Sequence, residues 1–577
     1  MRIITLHCDH ITFKPIKKAL KSAPDLNEAE KKEITVKDPL VILTAIEEGD
    51  NDATIKQLIE SIKKTAGEVK AKNIVLYPYA HLSSNLAKPD TALGYLTLAE
   101  HSLKKEGFEV TRAPFGYYKE FELKVKGHPL SELSKEFRSE EQKSTTPLTK
   151  PILKEEPVDP SKLLRELQRT KLDTSKLKDN DHRILGQRLD LFSFNEAAPG
   201  AVFWHPKGQI IFNELIQFSR ELQKEAGYQE ISTPQILDNK LWRVSGHWQH
   251  YKDNMFITDY EGRQMGAKPM NCPGGMLLFR SQARSYKDLP LRWSEYGSLH
   301  RMELSGTLAG LFRVIRFTQD DTHIFCSLDQ LPQEIEGVFN LIKKIYKDTF
   351  NFDYKLFLST RPEKYLGDIK DWSYAEETLE KALKKLKIPY TINKGDGAFY
   401  GPKIDITILD SQKREWQCGT VQLDMQLPQR FELSYTGADN KEHRPLVIHR
   451  AIFGSLERFI GILLEHLNGN LPLWLAPVQV KLINFTDRNT KAVEKLEKQL
   501  KAELPQLRVE TDLRNTTVND KIRDAELQKI NYMIVLGDKE EEKGTLAVRQ
   551  RGEKKPQFGV KLPAFIKELK EKLEKRA

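Results

Sequence analysis

Nowhere does the chain run 18 apolar residues in succession, so a membrane-spanning helix is excluded. Cysteine is scarce: Cys8, Cys272, Cys326 and Cys418 form no CxxC pair and no disulfide framework. That argues against a disulfide-built secreted scaffold and for a reducing, cytoplasmic setting. Neither GxxxxGK[ST] nor GxGxxG occurs. A bound nucleotide would therefore need side-chain cations for its phosphates rather than a P-loop or Rossmann turn. Charge of neither sign prevails: 91 Lys and Arg against 82 Asp and Glu leave a net +9, compatible with a polyanionic partner without requiring one. No repeat of fixed period is present. The first ten residues are interrupted by His7, Asp9 and His10 too early for a signal-peptide core and read as a short strand.

What is present suits a multidomain α/β protein, since 577 residues exceed one core. Residues 1–137 alternate strand-like and helix-like segments, with strands at Val41–Ile46 and Asn73–Tyr79 and a helix over Ala53–Val69 between them. Residues 138–180 read as linker: 138–160 are polar and carry Pro147, Pro151, Pro157 and Pro160, and 161–180 have the spacing of a charged connecting helix. A large α/β region follows over 181–475. Residues 476–577 repeat β-α-β and close on an apolar helical stripe at Leu562, Phe565, Ile566, Leu569 and Leu573.

The densest chemistry lies between Arg301 and His323. Two β-prone arms flank a loop containing Ser305, Gly306 and Gly310. Alternation puts Arg313, Ile315, Phe317, Gln319, Asp321 and His323 on one face, and Arg301 shares a face with Glu303. A purely structural strand would carry Val and Ile there. This one suits a flat, charged ligand. Arg301, Arg313 and Arg458 could pair with phosphate, and an aromatic between arginines can stack a base. A second constellation is Cys272, His323 and His449, one sulfur and two imidazoles that could hold zinc with an open fourth position. On spacing alone, a buried cysteine and two hydrogen-bonded histidines are the simpler reading.

Whole segments then carry a resemblance. Ala198–His205, Gly246–Phe256, Lys268–Gly274, Phe317–Cys326, Gly397–Lys403, Trp416–Asp424 and His449–Phe459 resemble the catalytic part of threonyl-tRNA synthetase, a class II aminoacyl-tRNA synthetase. The implied fold is a class II antiparallel-sheet catalytic core followed by a C-terminal α/β anticodon-binding domain. Arg301–His323 is similar to the class's second signature motif, His449–Phe459 to its third, and Gly227–Pro234 to its first, which in the family lies at a homodimer interface.

The resemblance implies the following roles. Cys272, His323 and His449 would hold one Zn2+. Arg301 would hold the α-phosphate and the amino-acid carboxylate, Glu303, Phe317 and Arg458 the adenine, and Arg313 the terminal phosphate of ATP, which arrives with Mg2+. Gln319, Asp321, Tyr400 and Lys403 would line a pocket for L-threonine, with Gln422 on the neighbouring strand; Gln417 and Thr420 of that strand would bind ATP, and Arg301, Lys403 and His247, the last near the transfer site, would serve catalysis. A metal taking both the amino group and the hydroxyl would reject valine, which an apolar pocket separates poorly from threonine. Serine lacks only a methyl, worth about 1 kcal/mol or somewhat more, so a second sieve is required.

Residues 1–137 resemble that sieve, the deacylase-like editing domain of archaeal threonyl-tRNA synthetases, through Tyr77–Pro89, Ala113–Lys119 and Gly127–Leu133. His81, Phe115, Tyr118, Lys119 and Glu132 would surround the seryl end of mischarged tRNA(Thr). The HxxxH of the bacterial-type editing module is absent. Glu540 and Arg549 match the family's anticodon-reading positions, where a carboxylate and a guanidinium can read base edges. One departure stands out: the family's Cys-Pro-Gly-His reads Cys272-Pro-Gly-Gly275 here.

Overall fold

The computed structural model describes residues 1–20, 23–28, 30–83, 85–137, 160–168, 170–175 and 177–576. Its contacts divide the chain into two units, Met1–Lys154 and Glu155–Ala577. Apart from Pro160, the proline-bearing linker expected at 138–160 lies outside the described residues.

The first unit is built on a seven-stranded sheet. Its strands are β1 (Arg2–Lys18), β2 (Ile34–Lys37), β3 (Pro39–Ala45), β4 (Asn73–Pro78), β5 (Glu109–Arg112), β6 (Tyr117–Val125) and β7 (Glu132–Glu136). Helices α1 (Asp52–Val69) and α2 (Pro89–Lys105) cover it. The parallel strands β3 and β4 are apolar at nearly every position because both sheet faces are covered. Asn51 caps α1 by accepting from the Ala53 and Thr54 amides, and Lys70 ends it in the left-handed region. The expected short first strand is in fact 17 residues long. Its first half pairs with β3 and β7; after a register shift between Cys8 and His10 the second half pairs with β2 and β6. The polar residues that suggested an end therefore mark a change of partners.

In the second unit α3 spans only Pro160–Glu166, and no described residue from there to 181 is helical before α4 (His182–Arg188), correcting the connecting helix expected to reach 180. Thr170 and Gln168 instead bond through their backbones to Phe194 and Glu196, contacts that a helix would have turned inward. Helix α5 (Pro206–Glu225) packs behind an eight-stranded sheet. The strands are β8 (Gln229–Glu230), β9 (Leu291–His300), β10 (Arg316–Cys326), β11 (Asp353–Ser359), β12 (Tyr390–Asn393), β13 (Lys403–Leu409), β14 (Glu415–Asp424) and β15 (Leu446–Ala451). Their spatial order is β8-β9-β10-β15-β14-β13-β11-β12, antiparallel except at the two outer pairs. Helix α6 (Cys272–Arg280) lies on the face opposite α5, whereas α7 (Leu456–His466) packs with α5 behind the sheet.

The last portion of this unit is a mixed five-stranded sheet, β16 (Val480–Asn484), β17 (Val509–Asp512), β18 (Tyr532–Leu536), β19 (Leu546–Gln550) and β20 (Gln557–Val560). Helices α8 (Thr490–Glu503), α9 (Val518–Leu527), α10 (Asp538–Lys543) and α11 (Leu562–Glu574) accompany it. Arg508 fastens it to α5 through Glu214, at 2.6 Å. Among the described residues no helix is long and apolar enough to cross a membrane.

A buried ion pair braces the eight-stranded sheet. Lys268 Nζ donates to Glu295 Oε1 at 2.7 Å and to Thr233 Oγ1 at 2.9 Å, with both charged side chains almost wholly excluded from solvent. Lys268→Met should cost about 3–5 kcal/mol, because Glu295 is left buried without its cation. Adding Glu295→Gln should recover a good part of the loss. Urea unfolding of the wild type and the two variants checks both; a single-variant loss below about 1 kcal/mol would contradict the account.

Candidate active site

Strand β10 organises the site. Pleating sends Phe317, Gln319, Asp321 and His323 to one face and Thr318, Asp320 and Thr322 to the other. The second set ties β10 to the start of α7. Asp320 accepts from the amides of Ile452 and Gly454 at 2.9 and 3.1 Å, and Glu457 accepts from the Thr318 amide at 2.9 Å. Burial pushes both carboxyl groups up to about 7.

The strip does not extend as expected. Strand β9 ends at His300 and β10 begins at Arg316, so Arg301, Glu303 and Arg313 lie in the intervening loop. Arg313 follows a 3-10 turn whose Gly310 takes φ +55° against His182, a conformation suited to glycine. Arg301 is brought in by other means. Its Nε donates to the Pro269 carbonyl at 3.3 Å and its guanidinium lies 5.0 Å from the centre of the Phe317 ring. Arg313 pairs with Glu303 at 2.7 Å, and Arg458 stands 5.9 Å from the Trp416 ring centre.

At the other end of the strip the ligand atoms of Cys272, His323 and His449 lie within 4.8 Å of one another, all three residues buried. Each comes from a different element: α6 supplies the cysteine, β10 and β15 the histidines, which are register partners. Neither ring nitrogen of His323 has a hydrogen-bond partner among the described residues. His449 Nε2 is engaged by Asp424 Oδ2 at 2.7 Å, which leaves Nδ1 as its donor and supplies the outer carboxylate common behind metal-bound imidazoles. Burial lowers His323 well below the usual imidazole range, keeping it neutral as a ligand must be. One sulfur and two nitrogens fit a borderline-soft ion such as zinc, and three protein donors leave a fourth position of a tetrahedral ion unfilled by them.

A second cluster, Asp181, His182 and Glu465, is equally compact. Its atoms are spent, however: His182 Nδ1 bonds Glu465 at 2.7 Å, and His182 Nε2 accepts from the Leu311 amide at 3.0 Å. It is a tether rather than a donor set.

Around the three donors, burial raises Asp321 to about 6, and Asn271 Nδ2 donates to its Oδ2 at 3.2 Å. Gly297 makes this possible, since a Cβ there would sit 2.1 Å from Asn271 Oδ1. Sequence reading missed both Asn271 and Gly297. Tyr400 packs 5.5 Å from the His449 ring, and Gln422 donates to the Gly401 carbonyl at 3.2 Å. A Cβ at Gly275 would lie 3.5 Å from His323 Nδ1, so the departure at that position leaves the donor set intact.

Lys403, Gln417 and Thr420 converge on Asp405, another residue that sequence reading passed over. Lys403 Nζ stands 2.9 Å from its Oδ2, Gln417 Nε2 donates to its Oδ1 at 2.6 Å, and Thr420 Oγ1 approaches Oδ1 at 3.4 Å.

His247 has surroundings unlike those of an approachable base. It is fully buried, with Nδ1 2.8 Å from Ser245 Oγ and Nε2 3.0 Å from the Met270 sulfur. Burial drives it down to about 3.

In the first unit a cavity of about 600 Å³ is lined by His81, Phe115, Tyr118 and Lys119 together with Tyr77 and Ile46. Lys119 Nζ donates to the Pro114 and Tyr117 carbonyls at 2.9 and 3.0 Å, and burial lowers it to about 8. Glu132, expected alongside them, does not line the cavity. It begins β7, where it pairs with Leu6 of β1.

In the C-terminal sheet Glu540 accepts from the Gly537 amide at 3.1 Å as part of the α10 cap. Arg549 pairs with Glu526 at 2.7 Å, so both expected base readers are engaged within the protein.

The antiparallel sheet, its three-element donor set and the strip of cation, ring and carboxylate define a class II aminoacyl-tRNA synthetase core. Residues 255–467 match the class II core domain of the G, H, P, S and T synthetases, and residues 476–572 match an anticodon-binding domain. Residues 1–137 match the Archaea-specific editing domain of threonyl-tRNA synthetase.

A crystal structure titled as the RNA binding domain of threonyl-tRNA synthetase from Cryptosporidium parvum is 41% identical. The match covers 98% of that chain and 68% of this one, with a TM-score of 0.66. The chain belongs to the threonyl-tRNA synthetase family. Threonine–tRNA ligases of Desulforamulus reducens and Clostridium botulinum strain Loch Maree are 51% and 53% identical over 399 and 397 residues, each match covering 69% of this chain. The chain spans about 62% of the length of these curated relatives.

Proposed function

We propose that the protein activates L-threonine with ATP and transfers it to tRNA(Thr), while its first unit hydrolyses mischarged seryl-tRNA(Thr). The observation that carries this reading is the Cys272, His323 and His449 donor set gathered at the sheet face that carries Asp321 and Phe317, with Arg301 over the Phe317 ring. ATP would enter with Mg2+ as its substrate complex.

Both reactants are anionic, so positioning and charge neutralisation dominate. Phe317 offers its face to adenine, with Arg301 and Arg458 nearby and Glu303 as an acceptor for the base's amino group. Arg313 takes the terminal phosphate, exchanging its Glu303 partner for the stronger anion. Arg301 draws the threonine carboxylate towards the α-phosphate, and Lys403 meets the charge that builds there. A carboxylate oxygen then bonds to the α-phosphorus, the bond to the bridging oxygen breaks, and pyrophosphate leaves.

Gln319, Tyr400 and Gln422 line the amino-acid pocket, and Asp321 accepts the hydroxyl proton of the substrate. Zinc held by Cys272, His323 and His449 would supply a Lewis-acid site for an amino group and a hydroxyl together, the pair that valine lacks. In the transfer step a ribose hydroxyl of the tRNA end attacks the acyl carbon and AMP departs. Buried and neutral, His247 shapes this region rather than carrying charge through it.

Serine keeps both ligating groups, and its missing methyl is worth only about 1 kcal/mol or somewhat more. The cavity of the first unit is suited to remove the product. His81, Phe115 and Tyr118 surround the seryl-adenosine end, and Lys119 donates to the ester. Glu540 and Arg549 would read anticodon bases after leaving their internal partners. A homodimer formed around Gly227–Pro234, working in the cytoplasm, completes the reading.

The test is ATP–pyrophosphate exchange with a panel of amino acids. Threonine should support it most strongly, serine next, and valine barely above background. Equal exchange with valine would contradict the pocket.

A further inference from the structure

Asp405 is almost wholly buried, yet every contact described for it leads to the working face of the sheet. Oδ2 lies 2.9 Å from Lys403 Nζ and accepts from Ser359 Oγ at 2.7 Å. Oδ1 accepts from Gln417 Nε2 at 2.6 Å and faces Thr420 Oγ1 at 3.4 Å. The two oxygens are thus shared among side chains of three strands, β11, β13 and β14, and each restrains a different pair. Asp396, the other carboxylate near Lys403, is more distant at 3.5 Å and largely exposed, so it cannot hold the ammonium as firmly.

A lysine head on a four-carbon stem has several rotamers, and an amide can point either way. A single buried carboxylate removes that freedom for Lys403 and Gln417 at once. With its acceptor positions occupied by protein donors, Asp405 is poorly placed to ligate a cation and well placed to fix its neighbours.

We propose that Asp405 is a positioning residue for adenylate formation, holding Lys403, Gln417 and Thr420 in the arrangement that meets the α-phosphate. The inference rests on the functional reading above. It assigns Asp405 no contact with substrate; its effect passes through Lys403 and its neighbours.

Asn cannot reproduce the carboxylate. Its amide nitrogen must face either Lys403 and Ser359 or Gln417, and it brings donor against donor on whichever side it turns. In Asp405→Asn, exchange should fall by roughly 10²-fold in kcat, with a much smaller change in the KM for ATP and threonine, as a misplacement of about 1 Å produces. The melting transition and zinc content should stay near wild type. Combined with Lys403→Met, the loss should be no greater than that of Lys403→Met alone, because the two act as one unit. Ser359→Ala relaxes only Oδ2 and should show a smaller kcat loss of the same kind; it also serves if Asp405→Asn folds poorly.

A second measurement does not depend on activity. Amine-selective acylation of the full chain, mapped by mass spectrometry, should find Lys403 several-fold more reactive in Asp405→Asn, because the ammonium has lost its buried counter-charge. Wild-type exchange in Asp405→Asn, multiplicative losses in the double variant, or unchanged Lys403 labelling would each overturn the proposal. Absence of threonine-dependent exchange in the wild type would instead defeat the functional reading, and the labelling result would still decide whether Asp405 holds Lys403.

Discussion

Purified Cys272→Ala should carry almost no zinc, where the wild type should carry one equivalent, and its threonine-dependent exchange should fall to near background. Removing an outer partner of a metal ligand typically costs about 10–100-fold in affinity, and removing the ligand itself should exceed that. The thiol contributes the only sulfur of the set, and it is buried among Met276, Phe279 and Tyr400, where water cannot easily replace it. Burial raises this thiol well above its usual range, so the ion-free site should hold it protonated; metal binding should release a proton and weaken as the pH falls. Cys326→Ala is the control. That cysteine is equally buried, but it packs in the main hydrophobic core away from the histidine pair, and its loss should leave zinc and exchange intact. Metal analysis beside the exchange assay checks both variants. Full exchange without zinc would remove the basis for the pocket assignment.

Lys119→Ala should let seryl-tRNA(Thr) accumulate under multiple-turnover charging with serine. Loss of a positioned proton donor typically costs 10²–10⁴-fold. The geometry also predicts a pH signature. With its level lowered to about 8, Lys119 is a cation below that pH and largely neutral above it. Two of its three N–H groups already serve the Pro114 and Tyr117 carbonyls, which leaves one for the ester oxygen as charge builds there. Clearance of pre-charged seryl-tRNA should therefore decline as pH rises through about 8, once the hydroxide-driven background is subtracted. Lys119→Met should show no such step. A mutant that clears seryl-tRNA as fast as wild type would rule out an editing role for this cavity residue.

Much of this arrangement could be read from the chain. Alternation along β10 put Phe317, Gln319, Asp321 and His323 on one face because a strand's period of two is local and robust. The donor set depended on whole-segment resemblance, since intervals of 51 and 126 residues carry no local signal. Legibility stopped where partners come from distant strands. Asp405 looks like any acidic residue in a β-prone run until Ser359, Gln417 and Thr420 arrive from either side. Asn271 and Gly297 are meaningful only as a pair, the absence of one side chain admitting the other. Period-two reasoning overran at Arg301, Glu303 and Arg313, which lie outside the strands and flank two 3-10 turns, Ser305–Thr307 and Gly310–Phe312. Glu132 was expected in the cavity through the resemblance of its segment alone; β7 pairs it with Leu6, outside the cavity lining.

His323 and His449 face each other directly across β10 and β15, and Gln422 of β14 is the next residue in the same row. Sliding any one of these strands by a single residue would turn its side chain to the helix-covered side and put Thr322, Arg450 or Val421 in its place. Such a slip in β10 would also turn Gln319 and Asp321 towards the main hydrophobic core, so burial already opposes it. A metal that demands both imidazoles discriminates sharply, because only one alignment presents two nitrogens at once. Occupancy of the site by such an ion would thus report the register of β10 and β15 at once, since a slipped sheet would lack one of the imidazoles.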